Sequence, residues 1–137
     1  MTVGLVLVSH SARIAEGLVE LAGQMAQGVA LVAAGGTDDG RIGTSFDRVQ
    51  AAIERAESGD GVVVLADLGS AVMTAETAIE FLDPDRAATV RLVDAPLVEG
   101  AVSAAVAAAT GADLDGVAAA AEEAWHHRAG GGGQLPR

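Results

Sequence analysis

The chain has 137 residues, half of them hydrophobic, which is enough for one domain with a single apolar core. It contains no cysteine and no lysine, which excludes a disulfide framework, a thiolate metal site, a cysteine nucleophile and a P-loop lysine. The 19 acidic residues outnumber the 8 arginines and give a formal net charge of −11, which argues against nucleic acid and anionic membranes as partners.

Four apolar runs predict buried strands, at residues 3–8, 29–33, 61–66 and 89–93. Helical patterns alternate with these runs. Three sets of apolar residues at helical spacing each form one face of a predicted helix. They are Ile14, Leu18, Leu21 and Met25, then Phe46, Val49, Ile53 and Ala56, and then Val72, Ala75, Ile79 and Leu82. The third of these helices is predicted to end at Pro84, and two more helices are predicted over 98–109 and 114–125.

The alternation of strands and helices predicts an α/β fold. We expect an open parallel four-stranded sheet in the order 2-1-3-4, with helices on both faces. This domain is expected over residues 1–128, and the glycine-rich segment 129–137 is expected to be a disordered tail or a linker. The start of the chain lacks the basic region of a signal peptide, and the uncharged stretch 101–109 is too short to cross a bilayer. A cytoplasmic location is therefore expected.

A histidine and a carboxylate follow two neighbouring strands of the predicted sheet. Ligands bind open α/β sheets at the carboxyl ends of the strands, near the point where the strand order reverses. Here that point lies between strand 1, which is followed by His10, and strand 3, which is followed by Asp67. A carboxylate on one ring nitrogen would leave the other nitrogen nucleophilic, so this pair predicts a phosphoryl acceptor. The alternative is an ordinary loop histidine, with Asp67 capping the third helix.

Short hydroxyl side chains stand where three helices are predicted to begin. Ser11, Ser70 and the pair Thr44-Ser45 occupy these positions, and helix N-termini with such residues bind phosphate. We expect the three termini to converge on His10, unless the hydroxyls only cap their own helices.

Two other polar features are predicted not to form sites. The glycine-rich loop 35–43 matches neither nucleotide-binding motif, and its Asp38 and Asp39 indicate a solvated turn rather than a cation site. The adjacent His126 and His127 point in different directions on a helix, which indicates an exposed helix end. No metal site is therefore expected.

Several stretches in order resemble the phosphocarrier (DhaM) subunits of the phosphoenolpyruvate-dependent dihydroxyacetone kinases. The first domain of that family is similar to the mannose-type enzyme IIA of the sugar phosphotransferase system. In chain order, the matching stretches are VLVSHS at 6–11, IGTS at 42–45, DLGSA at 67–71, AETA at 75–78, APLVEG at 95–100 and TGAD at 110–113. The resemblance covers nearly the whole chain.

The resemblance implies that His10 is transiently phosphorylated. It would accept phosphate from the phosphocarrier HPr and pass it to ADP on the kinase subunit DhaL, while the subunit DhaK holds dihydroxyacetone. Asp67 matches the carboxylate that pairs with the active histidine. The loops around the phosphate contain Gly36, Thr44, Ser45, Gly69 and Ser70. No cofactor is implied in this chain itself, and ADP and magnesium are expected on the partner subunit.

Three other functions are kept as alternatives. The first is a mannose-type enzyme IIA that serves a sugar transporter through the same site. The second is a tetrapyrrole metal chelatase, which also has a histidine turn after its first strand but needs further ligands. The third is a non-catalytic regulatory domain of the same fold.

A homodimer is expected, both from the resemblance and from the last third of the chain. The small side chains of 101–109 would allow a second backbone to approach closely, and the lone Trp125 lies near the chain end. The alternative is that both C-terminal helices cover the sheet, with Trp125 capping the core.

Overall fold

A four-stranded parallel sheet in the order β2-β1-β3-β4 lies at the centre of the computed structural model, which describes residues 2–127. The strands are β1 (Gly4–Ser9), β2 (Leu31–Gly35), β3 (Val62–Ala66) and β4 (Val90–Leu92). The helices are α1 (Ala12–Gly23), α2 (Phe46–Ala56), α3 (Gly69–Glu80), α4 (Pro84–Ala87), α5 (Leu97–Ala109) and α6 (Leu114–His127). The predicted fold class and strand order are confirmed. The predicted domain end at residue 128 and the predicted tail 129–137 lie outside the described residues.

One short helix was not predicted. The third helix was expected to end at Pro84, but α3 ends at Glu80 and Pro84 begins the four-residue helix α4. Proline suits the first turn of a helix because its missing N–H would have no intrahelical partner there and its φ is already helical.

The two central strands are covered on both faces. Alternate side chains of a strand point to opposite faces, so β1 and β3 divide their residues between two layers. One layer contains α1, α5 and α6, packed on Leu5, Leu7, Val63 and Leu65. The other contains α2 and α3, packed on Val6, Val8, Val62 and Val64. This double cover explains why both strands appear as unbroken apolar runs in the sequence.

Alanines, rather than large apolar residues, pack α1 against the sheet. Of the predicted face only Leu18 is buried, whereas Ile14, Leu21 and Met25 are about half exposed, at 53%, 44% and 52%. The buried residues of α1 are Ala15, Leu18 and Ala22. Small side chains let the helix lie close to the sheet, and the large residues are then displaced to its outer side. The periodic apolar face is therefore not the face that packs on the sheet.

The predicted apolar face is largely buried on α2 but not on α3. On α2 the predicted residues Val49, Ile53 and Ala56 are fully buried. On α3 the buried residues are Ala71, Ala75 and Ala78, and of the predicted face Val72 is exposed. As on α1, alanine forms the contact with the sheet on α3.

The small residues of α5 are buried within the chain itself. Ala101, Ala104, Ala105 and Ala108 belong to the core shared by α1, α6 and the sheet, so this stripe is not available to a second chain. Trp125 is partly buried, and its indole N–H donates to the carbonyl of Asp94 at 3.2 Å. The two C-terminal helices therefore cover the sheet, as the alternative stated. Within residues 2–127, no helix combines the length and the apolar character needed to cross a membrane.

Gly4 allows β1 to pass directly against the end of α2. A Cβ at this position would overlap the carbonyl oxygen of Ala56, which is backbone and cannot turn away. Gly17, in the middle of α1, has no atom near the position of an added Cβ. The same change, glycine to alanine, can therefore be compared at a tightly packed position and at an open one.

We predict that Gly4→Ala lowers the free energy of unfolding by about 1–3 kcal/mol through overpacking. Gly17→Ala should raise it by about 0.5–1 kcal/mol, because alanine loses less conformational freedom in a helix. Urea unfolding followed by circular dichroism measures both. Equal stability of Gly4→Ala and the wild type would contradict the close packing of β1 on α2.

Candidate functional site

The histidine and the carboxylate predicted from the strand order lie in contact. His10 follows β1 and Asp67 follows β3, the neighbouring strand. The N–H of Asp67 donates to the carbonyl of Val8 at 3.1 Å, which continues the pairing of the two strands into the turn. Nδ1 of His10 lies 2.9 Å from Oδ1 of Asp67. The carboxyl edge of the sheet therefore presents a paired imidazole and carboxylate.

The Asp67 carboxylate accepts four hydrogen bonds. Oδ1 accepts from the His10 ring and from the N–H of Leu68 at 2.7 Å. Oδ2 accepts from the hydroxyl of Ser9 at 2.8 Å and from the N–H of His10 at 3.0 Å. This set of donors fixes the orientation of the carboxylate, and therefore that of the ring it contacts.

These hydrogen bonds also determine the charge of Asp67. Burial acts to raise its pKa, but the donors from His10, Ser9 and Leu68 together outweigh burial and hold the pKa below the ordinary value. Asp67 is therefore ionised at neutral pH and can only accept. The nitrogen that it contacts, Nδ1 of His10, must carry the proton. In the neutral ring, Nε2 is then the nitrogen with the free lone pair.

Ser70 contacts this second nitrogen. Its Oγ lies 2.5 Å from Nε2 of His10, and since Nε2 is the acceptor the hydroxyl donates. Ser70 lies in the first turn of α3, whose N-cap, Leu68, makes no side-chain capping bond. The first N–H groups of a helix have no intrahelical partners, so those of Gly69 and Ser70 are suited to an anion beside Nε2.

The other two helix termini use their hydroxyls as caps. Ser11 accepts from the N–H of Ile14 at 3.2 Å, at the start of α1. Ser45 accepts from the N–H of Arg48 at 3.1 Å, at the start of α2, and donates to Asp38 at 2.5 Å. Of the three termini expected to converge on His10, only that of α3 therefore directs its hydroxyl to the ring.

Gly36 and Thr44 support the site without a contact to the ring. The N–H of Gly36 donates to the carbonyl of Ser9 at 3.1 Å, with a φ of +73° that favours glycine. Thr44 shares a hydrogen bond of 2.8 Å with Thr74 of α3, whose hydroxyl also lies 3.0 Å from the carbonyl of Ser70. The glycine-rich loop is thus attached to the end of β1 and to the first turns of α3.

Ser9 is a site residue that the sequence did not single out. It is fully buried, donates to Asp67, and accepts from the N–H of Ser11 at 3.1 Å. The available signal was a hydroxyl at the end of an otherwise apolar strand.

The acidic residues of the glycine-rich loop are paired with arginines. Asp39 lies 2.9 Å from Arg41, and Asp38 lies 3.5 Å from Arg48. Hydrogen bonds from Thr37 and Arg41 hold the pKa of Asp39 below its ordinary value. Between residues 2 and 127, no three histidine or acidic side chains cluster closely enough to hold a metal ion.

Acid should remove the stabilisation that Asp67 provides. Its pKa is lower in the folded protein than in the unfolded chain, so its contribution is present above the unfolded pKa and is lost as the pH falls through the folded one. We expect the wild type to be more stable than Asp67→Ala near neutral pH, and the difference to shrink below about pH 4. Urea unfolding at several pH values measures this. A difference that persists unchanged to about pH 2 would contradict the ionised pair.

A solved structure and a family of known domains share this architecture. The EIIA-man family, described as "PTS system fructose IIA component", matches residues 4–118. The crystal structure of EF1359, a protein of unknown function, superposes with a TM-score of 0.81 at 38% identity. The alignment covers 89% of this chain and 94% of that one.

Curated relatives narrow the family further. The phosphoryl donor subunit DhaM of the PEP-dependent dihydroxyacetone kinase of Escherichia coli K12 is 50% identical over 119 residues, which are 84% of this chain but only 25% of that relative. The DhaM subunit of Lactococcus lactis is 41% identical and is covered over 91% of its length by 85% of this chain. The DhaM subunit of dihydroxyacetone kinase 2 of Listeria innocua is 42% identical, with 84% of it and 76% of this chain aligned. The chain therefore belongs to the EIIA-man family and, within it, to the DhaM subunits.

Proposed function

We propose that the chain is the phosphohistidine carrier of a phosphoenolpyruvate-dependent dihydroxyacetone kinase. His10 accepts a phosphoryl group from HPr and passes it to ADP on the DhaL subunit, while DhaK binds dihydroxyacetone. The observation that carries this proposal is the His10 ring held between Asp67 and Ser70. The names of the relatives support the kinase system over a sugar transporter, and the family favours a carrier over a metal chelatase.

In this proposal the reacting atom is Nε2, because Nδ1 is engaged by Asp67. Its lone pair attacks phosphorus, and the P–N bond of the donor's phosphohistidine breaks, with the electron pair returning to the donor imidazole. Nδ1 keeps its proton, and the Asp67 carboxylate stabilises the positive charge that develops on the ring. Transfer to ADP reverses this step: a terminal phosphate oxygen of ADP attacks phosphorus, and the P–Nε2 bond breaks.

Gly69 and Ser70 are assigned to the phosphoryl oxygens. The N–H groups at the start of α3 point to the edge where the group would lie, and the Ser70 hydroxyl turns from Nε2 to a phosphoryl oxygen. Ser11, Gly36, Thr44 and Ser45 hold the surrounding turns in place. Their role in this proposal is to position these turns.

This cycle needs no cofactor on the carrier, because the phosphoryl group is its covalent cargo. ADP and magnesium belong to the DhaL subunit in this proposal. We place the cycle in the cytoplasm.

We predict that His10→Ala takes up no phosphate and remains folded. The ring is 20% exposed and its neighbours are polar, so its removal leaves no large apolar cavity. The protein is incubated with phosphoenolpyruvate, enzyme I and HPr, and its mass is measured before and after. His126→Ala, a histidine at the far end of α6, serves as the control and should be phosphorylated normally. Phosphate uptake by His10→Ala would refute the assignment.

In the same assay, Asp67→Ala should retain slow uptake. The carboxylate does not bond to phosphorus, and loss of one charge-assisted hydrogen bond of roughly 1.5–3 kcal/mol slows transfer about 10- to 100-fold. A rate equal to that of the wild type would remove Asp67 from the mechanism. Adding DhaL, DhaK and dihydroxyacetone then tests the acceptor, since a sugar-transport carrier would not discharge onto them.

We also propose that the carrier is a homodimer that pairs through the outer faces of α1 and α5. These helices pack side by side in one layer. Their exposed apolar residues, which need cover, are Ile14, Leu21, Val98 and Val106, and the exposed Met25 follows just beyond the end of α1. A two-fold contact of such a surface with itself is the commonest arrangement, and a lasting one buries at least about 1,000 Å².

Light scattering at micromolar concentration should give twice the chain mass of 13.6 kDa. The double variant Leu21→Glu, Val106→Glu should give the mass of one chain and still accept phosphate, because His10 is untouched. Ala51→Glu, an equally exposed change on α2 in the other layer, is the matched control and should remain dimeric. A wild-type mass near that of one chain would contradict the dimer.

A further inference from the structure

Phosphorylation of His10 brings negative charge beside the Asp67 carboxylate. The groups assigned to the phosphoryl oxygens, the Ser70 hydroxyl and the first N–H groups of α3, are all neutral. Phosphoryl transfer is accelerated by cations that neutralise charge on the oxygens of the transferred group. The chain has no lysine, so the only permanently cationic side chain that it can supply is an arginine.

Four of the six arginines within residues 2–127 are engaged in ion pairs. These pairs are Arg41–Asp39, Arg48–Asp38, Arg86–Glu54 and Arg91–Asp115. The remaining two, Arg13 and Arg55, make no ion pair or side-chain hydrogen bond with any residue in that range. Arg55 lies in the last turn of α2, where the helix dipole favours a cation.

The positive charge of Arg13 lies where the helix dipole disfavours a cation. It is the second residue of α1, two positions after the Ser11 cap, at the positive end of the helix dipole. The first turn of α1 contains no acidic residue to compensate it. The side chain is exposed. The helix dipole therefore does not account for a cation at this position.

The position of Arg13 brings it to the phosphoryl site. It follows His10 by three residues, so the two Cα atoms are at most about 11 Å apart. Side chains of a helix lean towards its N-terminus, and the N-terminus of α1 lies at the sheet edge that presents His10. An extended arginine side chain is therefore directed towards the edge at which His10 lies.

We propose that Arg13 contacts the phosphoryl group while it is bound to, and transferred at, Nε2 of His10. This inference rests on the proposed phosphocarrier function and adds a residue to it. The guanidinium presents paired N–H groups that match two phosphoryl oxygens and remains charged at every relevant pH. Arg13 thereby offsets the negative charge that Asp67 and the phosphoryl group bring together.

A small phosphoryl donor separates this contact from the docking of a partner protein. With phosphoramidate, Nε2 attacks phosphorus, the P–N bond of the donor breaks, and the protonated amine leaves as ammonia. Arg13→Gln should slow this reaction about 10- to 100-fold at saturating donor. Arg13→Lys should recover part of the rate because it keeps the charge. Arg55→Gln, which removes the other arginine without an ion pair within residues 2–127, is the matched control and should react as the wild type does.

Phosphorus NMR gives a readout that a structural role would not change. Loss of a neighbouring cation should raise the pKa of the phosphoryl group on His10 in Arg13→Gln and leave it unchanged in Arg55→Gln. Unchanged rates and an unchanged phosphorus titration in Arg13→Gln would overturn the inference. So would a defect seen only as a raised KM for HPr, since that would make Arg13 a docking residue. Failure of the wild type to accept phosphate from either donor would instead overturn the proposed function, and this inference with it.

Discussion

The hydrogen bond between Nδ1 of His10 and the Asp67 carboxylate is the contact on which the site depends. It requires β1 and β3 to be neighbours in register, because each residue lies one position beyond its strand. It holds the proton on Nδ1 and leaves Nε2 with the free lone pair. The buried hydroxyl of Ser9 and two backbone N–H groups keep the carboxylate ionised and aligned. The chemistry of the ring is therefore set by the geometry of two adjacent strands.

Much of the fold and the central pair could be predicted because they follow from coarse features of the sequence. Unbroken apolar runs mark strands covered on both faces, and their alternation with helices leaves few possible sheet orders. Once the order is known, the residues that follow strands 1 and 3 must meet. The contact between His10 and Asp67 thus needed no knowledge of side-chain packing.

The features that were not predicted depend on side-chain detail. Ser11, Ser45 and Ser70 each stand at the start of a helix, and nothing in their spacing shows which hydroxyl caps and which turns to the ring. That choice depends on rotamers, and in the case of Ser45 on the nearby Asp38. The face of α1 was missed because periodicity gives weight to large apolar residues, whereas the contact with the sheet is made by Ala15 and Ala22. Close approach of a helix selects small side chains, and an alanine-rich sequence offers several such faces.

The hydrogen bond from Ser70 to Nε2 has a consequence for the energetics of a carrier. In the resting protein this hydroxyl is satisfied by the ring nitrogen, and in the loaded protein of the proposed cycle a phosphoryl oxygen takes the place of that nitrogen. The number of hydrogen bonds made by Ser70 is then the same before and after loading. Neither state gains a bond that the other lacks, so this residue favours retention only by the difference in strength between a bond to a charged oxygen and a bond to a neutral nitrogen. A relay protein needs this difference to be small, because a group that it binds too tightly cannot be handed on.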